Sequence, residues 1–276
     1  ARIRRLDEHA QIIMIERSGY VSYANCGLPY YIGGAITDRG NLTLQTPESF
    51  QARFRIDVRV FNEAIKIEPE AKTVTVKNLR TGETYEETYD NLILSPGAEP
   101  IKPNIEGIDS DIVFTLRNIP DTLKIKNHID TAKPKSAVVI GGGYIGVEMA
   151  ENLAEAGLDV SVVELADHLI ASLDFDMAAD VHRYIKKKGI KLYLKNGVTA
   201  IRDHTVILQK GEIPADMVIL SVGVRPETAL AKACGIQVNA RGSIVVDSSM
   251  KTNLPGIYAV GDAVEVKDFI LSLIHI

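Results

Sequence analysis

Short apolar runs recur along the chain, and two of them end in an acidic residue. Residues 12–15 lead directly into Glu16, and residues 160–163 lead into Glu164. Continuous apolar runs of this length are typical of buried parallel strands. A helical pattern over residues 147–156 precedes the second run. The alternation predicts an α/β fold in which helices connect parallel strands.

Residues 57–90 follow a different pattern, in which apolar and polar side chains alternate. Residues 73–76 alternate strictly, and Thr81-Gly82 supplies a turn before the chain returns over residues 85–89. This pattern indicates a β-rich segment. A final apolar strand over residues 256–260 ends at Gly261-Asp262.

Composition excludes several classes of partner. The chain has 276 residues, which suggests about two domains. Its net charge of −5 argues against nucleic acid, because phosphate binding needs a basic surface. No apolar run approaches the roughly 20 residues that span a bilayer. Two distant cysteines make no disulfide framework, and the six histidines have no metal-ligand spacing, so we predict a cytoplasmic protein without a metal.

The clearest motif is a glycine loop between a strand and a helix. The β-branched run 137–140 leads into Gly141, Gly143 and Gly146. In dinucleotide-binding folds the first glycine makes a tight turn, the second lets backbone approach the pyrophosphate, and the third allows close helix packing. Glu164, at the end of the next strand, matches the acid that binds a ribose hydroxyl. Because an acid there repels a 2′-phosphate, NADH is favoured over NADPH.

Glu16 ends its strand in the same way that Glu164 does. The symmetry predicts a second dinucleotide-binding fold whose glycine loop would precede Ala1. Residues 1–6 would then be the end of its first helix. Spacing alone leaves open the alternative that Glu16 is an exposed acid at a strand end.

Cys26 is a lone thiol in an unusual stretch. Asn25 is a good N-cap residue, Pro29 suits the first turn of a helix, and Gly33-Gly34 suits its end. The pattern places Cys26 at a helix N-terminus, where the helix dipole lowers a thiol pKa. The alternative is a buried cysteine that acts as a small hydrophobe, which is the role we assign to Cys234.

Six motifs together carry a family resemblance. They are Asn-Cys-Gly-Leu-Pro-Tyr at 25–30, Leu-Ser-Pro-Gly-Ala at 94–98, Phe-Thr-Leu-Arg-Asn at 114–118, Gly-Gly-Gly-Tyr-Ile-Gly at 141–146, Ser-Val-Gly-Val-Arg-Pro at 221–226 and Tyr-Ala-Val-Gly-Asp at 258–262. With them the chain resembles the pyridine nucleotide-disulfide oxidoreductases, in particular the coenzyme A-disulfide reductase and NADH oxidase branch, up to about residue 269.

The resemblance implies an α/β fold with two Rossmann-like dinucleotide-binding domains, one for FAD and one for NAD. The FAD-binding domain would be discontinuous and truncated. Its first part would cover residues 1–118 and its return segment residues 247–270. The NAD(P)H-binding domain would cover residues 119–246, and residues 271–276 would be a non-native tail.

The resemblance also implies site residues. Cys26 would be the redox-active residue. The FAD contacts would be Glu16, Ser95, Pro96, Gly97, Ala98, Arg117, Gly261 and Asp262. The contacts to NADH would be Gly141, Gly143, Tyr144, Ile145, Gly146, Glu164 and Gly223. Coenzyme A would be bound by Arg5, Ser22 and Asn25, although Arg5 also fits a solvated helix face that carries Arg2 and Arg4.

The implied function is electron transfer from NAD(P)H through FAD to Cys26. A mixed disulfide at Cys26 would serve the reduction of coenzyme A disulfide or a related persulfide or polysulfide. A cysteine sulfenic acid would instead serve an NADH oxidase or peroxidase, with oxygen or peroxide as acceptor. A hypothesis from another class is a non-catalytic dinucleotide-binding redox sensor.

Both chain ends indicate an internal fragment of a longer protein. The resemblance places an FAD glycine loop before Ala1 and an interface domain with dimer contacts after Ile270. We therefore expect the full-length protein to form a homodimer. We also expect that this chain by itself binds FAD poorly and has little activity.

Overall fold

The computed structural model describes residues 1–267 and 274–275. The predicted tail at residues 271–276 lies outside this range apart from two residues. The chain divides into two compact units, each built from separate segments. The first unit contains Ala1–Tyr23, Thr43–Glu99 and Arg225–Ile276, and the second contains Ala24–Leu42 and Pro100–Val224.

Seven α-helices lie in the described part of the chain. They are α1 (Arg2–Leu6), α2 (Leu28–Gly33), α3 (Pro47–Phe54), α4 (Ile119–Ala132), α5 (Tyr144–Glu155), α6 (Phe175–Lys187) and α7 (Ala229–Ala233). Short 3-10 helices cover Asn25–Gly27, Arg39–Leu42 and Gly261–Ala263. Among the described residues, no helix combines the length and the apolar character that crossing a bilayer requires.

The strands follow in chain order. They are β1 (Ile12–Glu16), β2 (Ser22–Tyr23), β3 (Thr43–Gln45), β4 (Ile56–Val60), β5 (Asn62–Glu68), β6 (Thr73–Asn78), β7 (Thr84–Thr88), β8 (Leu92–Leu94), β9 (Ala98–Pro100), β10 (Val113–Phe114), β11 (Ser136–Ile140), β12 (Asp159–Val163), β13 (Lys191–Tyr193), β14 (Val198–Arg202), β15 (Thr205–Leu208), β16 (Glu212–Pro214), β17 (Met217–Leu220), β18 (Val224–Pro226), β19 (Ile257–Ala259), β20 (Val266–Lys267) and β21 (Ile274–His275).

A parallel five-stranded sheet organises the second unit. Its strand order is β10-β17-β11-β12-β13, and each pair of neighbours is parallel. The β-branched residues of β11 and β12 are buried, as the apolar runs predict. Helix α5 packs on these strands through Met149 and Leu153, and it ends where Gly157 adopts a φ of 93°. The carboxyl ends of β11, β12 and β17 therefore lie at one edge of the sheet.

The first unit combines parallel pairs with an antiparallel sheet. Strands β1 and β4 are parallel, as are β8 and β19. Strands β5, β6 and β7 form a three-stranded antiparallel sheet, which confirms the β-rich segment expected at residues 57–90. Val74 and Val76 of β6 are buried because alternate side chains face one side of the sheet. The predicted α/β fold class is confirmed.

The compact units differ in extent from the predicted domains. Residues 24–42 group with the second unit because α2 contacts α4 and α5. The backbone of α2 comes close to α5 at Gly33, where an added Cβ would lie 2.6 Å from the side-chain oxygen of Asn152. Residues 225–246 group with the first unit. The assignment of FAD-binding and NAD-binding domains to these segments stays a prediction.

Asp216 ties the start of β17 to the start of β11. Its Oδ2 accepts hydrogen bonds from the backbone N–H groups of Lys135 (2.8 Å) and Ser136 (3.0 Å). These bonds hold the pKa of the Asp216 carboxyl below its usual value. We expect Asp216→Ala to lower the free energy of unfolding by about 1 to 2 kcal/mol in urea titrations at neutral pH.

The stability that Asp216 contributes also depends on pH. Because its pKa is lowered in the folded state, the contribution is complete above about pH 4, the range of an unfolded aspartate, and is lost as the pH falls through the folded value. The difference between wild type and Asp216→Ala should shrink in that acidic range. Asp159→Ala is the control, since it removes only an exposed ion pair with Lys191 (2.7 Å). A control effect as large as that of Asp216→Ala would contradict the prediction.

Candidate functional site

The glycine loop begins with a tight turn at the carboxyl end of β11. Gly141 has a φ of 105°, and a Cβ on it would overlap the carbonyl oxygen of Ser221. Its N–H donates to the carbonyl of Val163 at 2.9 Å. Only glycine suits this position, because an L side chain is excluded both by the dihedral angle and by the neighbouring strand.

The second and third glycines of the loop face different surroundings. A Cβ on Gly143 would meet nothing within 4 Å, whereas a Cβ on Gly146 would overlap the carbonyl oxygen of Gly141. Gly143 therefore borders open space, and Gly146 permits close packing of α5. No side chain among the described residues caps α5 at Gly143. The first-turn N–H groups are thus available to an anionic ligand such as a pyrophosphate.

Glu164 closes the loop from the end of β12. One carboxylate oxygen accepts from the N–H of Gly142 at 2.6 Å, and the other accepts from the N–H of Ala166 at 2.7 Å. Each oxygen retains a lone pair that can accept from a ribose hydroxyl. The structure thus brings Glu164 to the glycine loop, and these two bonds fix its carboxylate in place.

Ser221, which sequence reasoning missed, supports the same loop. The hydroxyl of Ser221 lies 3.0 Å from the carbonyl oxygen of Ile140 and 3.1 Å from that of Gly141. Ser221 lies within the motif at residues 221–226, which was the one signal for it. Gly223 of the same motif has a φ of 113° and accepts a backbone hydrogen bond from Ile101 at 3.0 Å.

Tyr144 and Ile145 open helix α5 beside the loop. Tyr144 is 64% exposed and Ile145 is 40% exposed. The Tyr144 hydroxyl lies 2.9 Å from the hydroxyl oxygen of Ser172. Both side chains are therefore accessible to a ligand at the glycine loop.

Cys26 lies in the 3-10 turn that leads into α2, and it is exposed. The alternative of a buried cysteine that acts as a small hydrophobe is therefore wrong. Pro29 in the first turn of α2 and the left-handed Gly34 after it (φ 88°) are confirmed. The N-cap role predicted for Asn25 is wrong, because Asn25 belongs to the 3-10 turn. The N-cap positions are held by Ala24 and Gly27, and neither supplies a side-chain cap.

Cys234 has a different environment, in the first unit. It is half-buried, and its Sγ lies 3.2 Å from the carbonyl oxygen of Ala231. Burial raises the pKa of this thiol. Both properties disfavour a reactive thiolate at physiological pH, in agreement with the structural role expected for Cys234.

Most residues predicted to contact FAD lie at strand ends of the first unit. Parallel strands β8 and β19 end side by side, and Ser95 and Gly261 follow within two residues of their ends. Gly97 and Gly261 adopt φ values of 75° and 79°, and Asp262 is exposed in the 3-10 turn after β19. Carboxyl ends of adjacent parallel strands with glycine turns are where doubly wound folds bind nucleotides, so these residues fit an FAD.

Two further predicted FAD contacts lie apart from the ends of β8 and β19. Glu16 ends β1, and its Oε1 accepts from the N–H of Ser18 at 2.7 Å. Arg117 belongs to the second unit, and its N–H donates to Asp121 at 3.0 Å.

The residues predicted to bind coenzyme A differ in exposure. Arg5 and Asn25 are exposed, while Ser22 is half-buried in β2. Arg4, grouped with Arg5 on a solvated helix face, instead donates to backbone carbonyls, which are those of Phe54 (2.9 Å), Glu8 (2.7 Å) and Arg55 (3.0 Å). The solvated-face interpretation is therefore wrong for Arg4, whereas Arg5 remains accessible.

Comparison with known proteins finds similarity along almost the whole chain. The model of the family described as pyridine nucleotide-disulphide oxidoreductase matches residues 1–275. The coenzyme A disulfide reductase of Staphylococcus epidermidis is 38% identical over 265 residues, which are 96% of this chain and 60% of that protein.

Solved structures agree with this placement. The reduced CoADR-RHD of Bacillus anthracis is 51% identical with a TM-score of 0.97, over 99% of this chain and 50% of that one. The NAD-dependent persulfide reductase from A. fulgidus is 35% identical with a TM-score of 0.94, over 99% and 52%. The water-forming NADH oxidase from Lactobacillus brevis is 31% identical with a TM-score of 0.90, over 96% and 59%. The chain thus spans between half and about three fifths of the length of these relatives.

Proposed function

The chain belongs to the pyridine nucleotide-disulphide oxidoreductase family, and on that premise we propose that the whole protein passes electrons from NADH through FAD to the thiol of Cys26. One observation carries the proposal. An exposed thiol and a glycine loop of the dinucleotide-binding type lie in the same compact unit, on neighbouring helical segments. A close approach of Gly33 to Asn152 joins these segments. Such an arrangement suits a protein that couples a nicotinamide to sulfur chemistry.

We propose coenzyme A disulfide as the acceptor, or a related persulfide or polysulfide. The Cys26 thiolate attacks one sulfur of the disulfide, the S–S bond breaks, and one coenzyme A leaves as a thiolate that takes up a proton. Two electrons that originate in NADH then cleave the mixed disulfide and release the second coenzyme A. The balance is NADH, a proton and one disulfide in, and NAD⁺ and two thiols out. FAD, when bound, supplies the relay between a hydride donor and a sulfur acceptor.

The names of the relatives support this acceptor. The reductase of Staphylococcus epidermidis acts on coenzyme A disulfide by its name, and the relative from A. fulgidus is a persulfide reductase. A second candidate is an NADH oxidase or peroxidase that uses a Cys26 sulfenic acid. The similarity of this chain to the water-forming NADH oxidase from Lactobacillus brevis supports this candidate.

A panel of acceptors tests the proposal. The full-length, flavin-loaded protein is assayed for NADH oxidation with coenzyme A disulfide, polysulfide, oxygen and hydrogen peroxide. Faster turnover with a sulfur acceptor supports the disulfide reductase, and faster turnover with oxygen or peroxide favours the oxidase. Absence of turnover with every acceptor would leave only the redox sensor. The proposal also includes a cytoplasmic location and a homodimeric state. Sedimentation of the full-length protein tests the homodimer.

Replacing Glu164 should weaken NADH binding and its selection over NADPH. The fixed carboxylate favours a ribose diol and repels a 2′-phosphate. We expect Glu164→Ala to raise the KM for NADH about tenfold, the effect of losing one hydrogen bond to a charged group. The preference for NADH over NADPH in kcat/KM should fall as well. Asp176→Ala, which removes an exposed acid of the same unit, is the control. An unchanged preference in Glu164→Ala would contradict this role.

A further inference from the structure

The turn between β12 and α6 contacts the glycine loop at Gly142. Ile170 donates its N–H to the carbonyl of Gly142 at 2.7 Å. Leu169 is fully buried, and its side chain lies so close to Gly142 that an added Cβ there would overlap it. The conformation of residues 165–173, here called the support turn, therefore constrains the position of Gly142.

The support turn adopts an unfavourable backbone conformation. Ile170 has a φ of 52°, in the left-handed region. A β-branched residue rarely occupies this region, because its Cβ is crowded there. Such a conformation persists only where surrounding contacts hold it. The bond from Ile170 to Gly142 is one such contact. A second contact is made by the neighbouring residue, Leu169.

His182 of α6 provides that second contact. Its Nε2 lies 3.0 Å from the backbone nitrogen of Leu169, which donates the hydrogen bond. To accept it, the imidazole must be neutral with its proton on Nδ1. A chain of contacts thus runs from His182 to Leu169 and Ile170, and from there to Gly142, whose N–H is bound by Glu164.

We propose that His182 is a positioning residue for the nicotinamide dinucleotide, acting through the support turn on Gly142 and Glu164. The inference rests on the proposed function, because it assumes that the glycine loop binds NADH. A helical histidine with a merely structural hydrogen bond is the alternative. The two differ in what happens when the ring gains a proton.

Protonation of His182 would place a hydrogen on Nε2, directly against the N–H of Leu169. The charged groups that act on the ring are Lys186 on α6 and His168 on the support turn. His168 is itself bonded to Asp167 at 2.7 Å, and Asp167 pairs with Lys195 at 3.7 Å. Burial, followed by the charges of Lys186 and His168, lowers the pKa of His182. The neutral acceptor is therefore kept at neutral pH and is lost in the acidic range.

Two variants of the holoenzyme test the proposal. His182→Gln keeps an acceptor near the Nε2 position but cannot be protonated, and His182→Leu removes the acceptor. NAD⁺ affinity is measured by calorimetry between about pH 8 and pH 5.5, and KM and kcat for NADH are measured alongside. At high pH we expect the NAD⁺ affinity of His182→Gln to lie within about twofold of wild type and that of His182→Leu to be about tenfold weaker. The kcat at saturating NADH should be unchanged in both variants. Wild-type affinity should fall on acidification, whereas that of Gln should not.

The outcomes separate the two proposals. NAD⁺ that fails to bind wild type would overturn the proposed function together with this inference. Wild-type binding that His182→Leu retains at full strength would overturn only the inference. Should His182→Leu fail to fold, the comparison of wild type with His182→Gln decides, since identical pH profiles would also overturn it. His204→Gln, which changes an exposed histidine of the same unit, should keep the wild-type profile.

Discussion

Replacing Cys26 by serine is expected to abolish turnover of disulfide acceptors while NADH still reduces the flavin. Serine cannot form the mixed disulfide, and it also removes the thiolate that cleaves the acceptor. Loss of a covalent nucleophile lowers turnover by more than about a thousandfold. Stopped-flow absorbance measures the flavin reduction step, and steady-state NADH consumption measures turnover, both in the full-length protein.

Cys234→Ser is the matched control, because it changes the second cysteine of the chain in a half-buried site with a raised pKa. Its turnover should remain within about twofold of wild type, since Cys234 has no part in the proposed path of electrons and serine is close to cysteine in size. Survival of turnover with every acceptor in Cys26→Ser would refute the thiol mechanism. Loss of the flavin reduction step as well would point to a structural role of Cys26.

The second large effect is expected from Gly141→Ala, which should eliminate NADH binding and destabilise the fold. A methyl group at this position overlaps the carbonyl oxygen of Ser221, and the backbone angle of 105° is unfavourable for alanine. We expect a loss of about 3 kcal/mol or more in the free energy of unfolding, because the strain and the overlap add. Calorimetric titration with NAD⁺ and thermal unfolding measure the two effects.

Gly157→Ala separates strain from overlap. Gly157 has a similar angle of 93°, but an added Cβ there would meet nothing within 4 Å. Gly157→Ala should lower the free energy of unfolding by about 1 to 2 kcal/mol, which is what alanine costs in the left-handed backbone region. Its NAD⁺ affinity should be retained. Equal destabilisation by the two variants, or intact NAD⁺ binding in Gly141→Ala, would disagree with the role assigned to the first glycine.

The dinucleotide loop was predictable from sequence because its function depends on local spacing. A strand, three glycines, a helix and a terminal acid follow one another along the chain, and the structure places Glu164 against Gly142 as that order implies. The bond to Ala166 was not predictable, because it depends on the local turn conformation after β12. The role of Ser221 was not predictable, because it depends on how β17 pairs with β11.

Errors of the sequence interpretation arose where local propensity competed with tertiary contacts. Asn25 has the composition of a cap, yet a 3-10 turn places it one step away from that role. Arg4 lies in a basic helical turn, yet its guanidinium binds carbonyls of Phe54 and Arg55, some 50 positions away in sequence. Ile170 is an ordinary residue in the sequence, and only the structure reveals its left-handed backbone.

The contact between Gly33 and Asn152 has a consequence for protein engineering. A chimera that exchanges the cofactor specificity of this protein would be planned, from sequence, as a contiguous graft of residues 119–246. That graft would replace Asn152 of α5 but keep Gly33 of α2. Helix α2 would then pack against a helix α5 from a different protein. The compact unit is instead the discontinuous set of residues 24–42 and 100–224, so the turn that carries Cys26 must travel with the glycine loop.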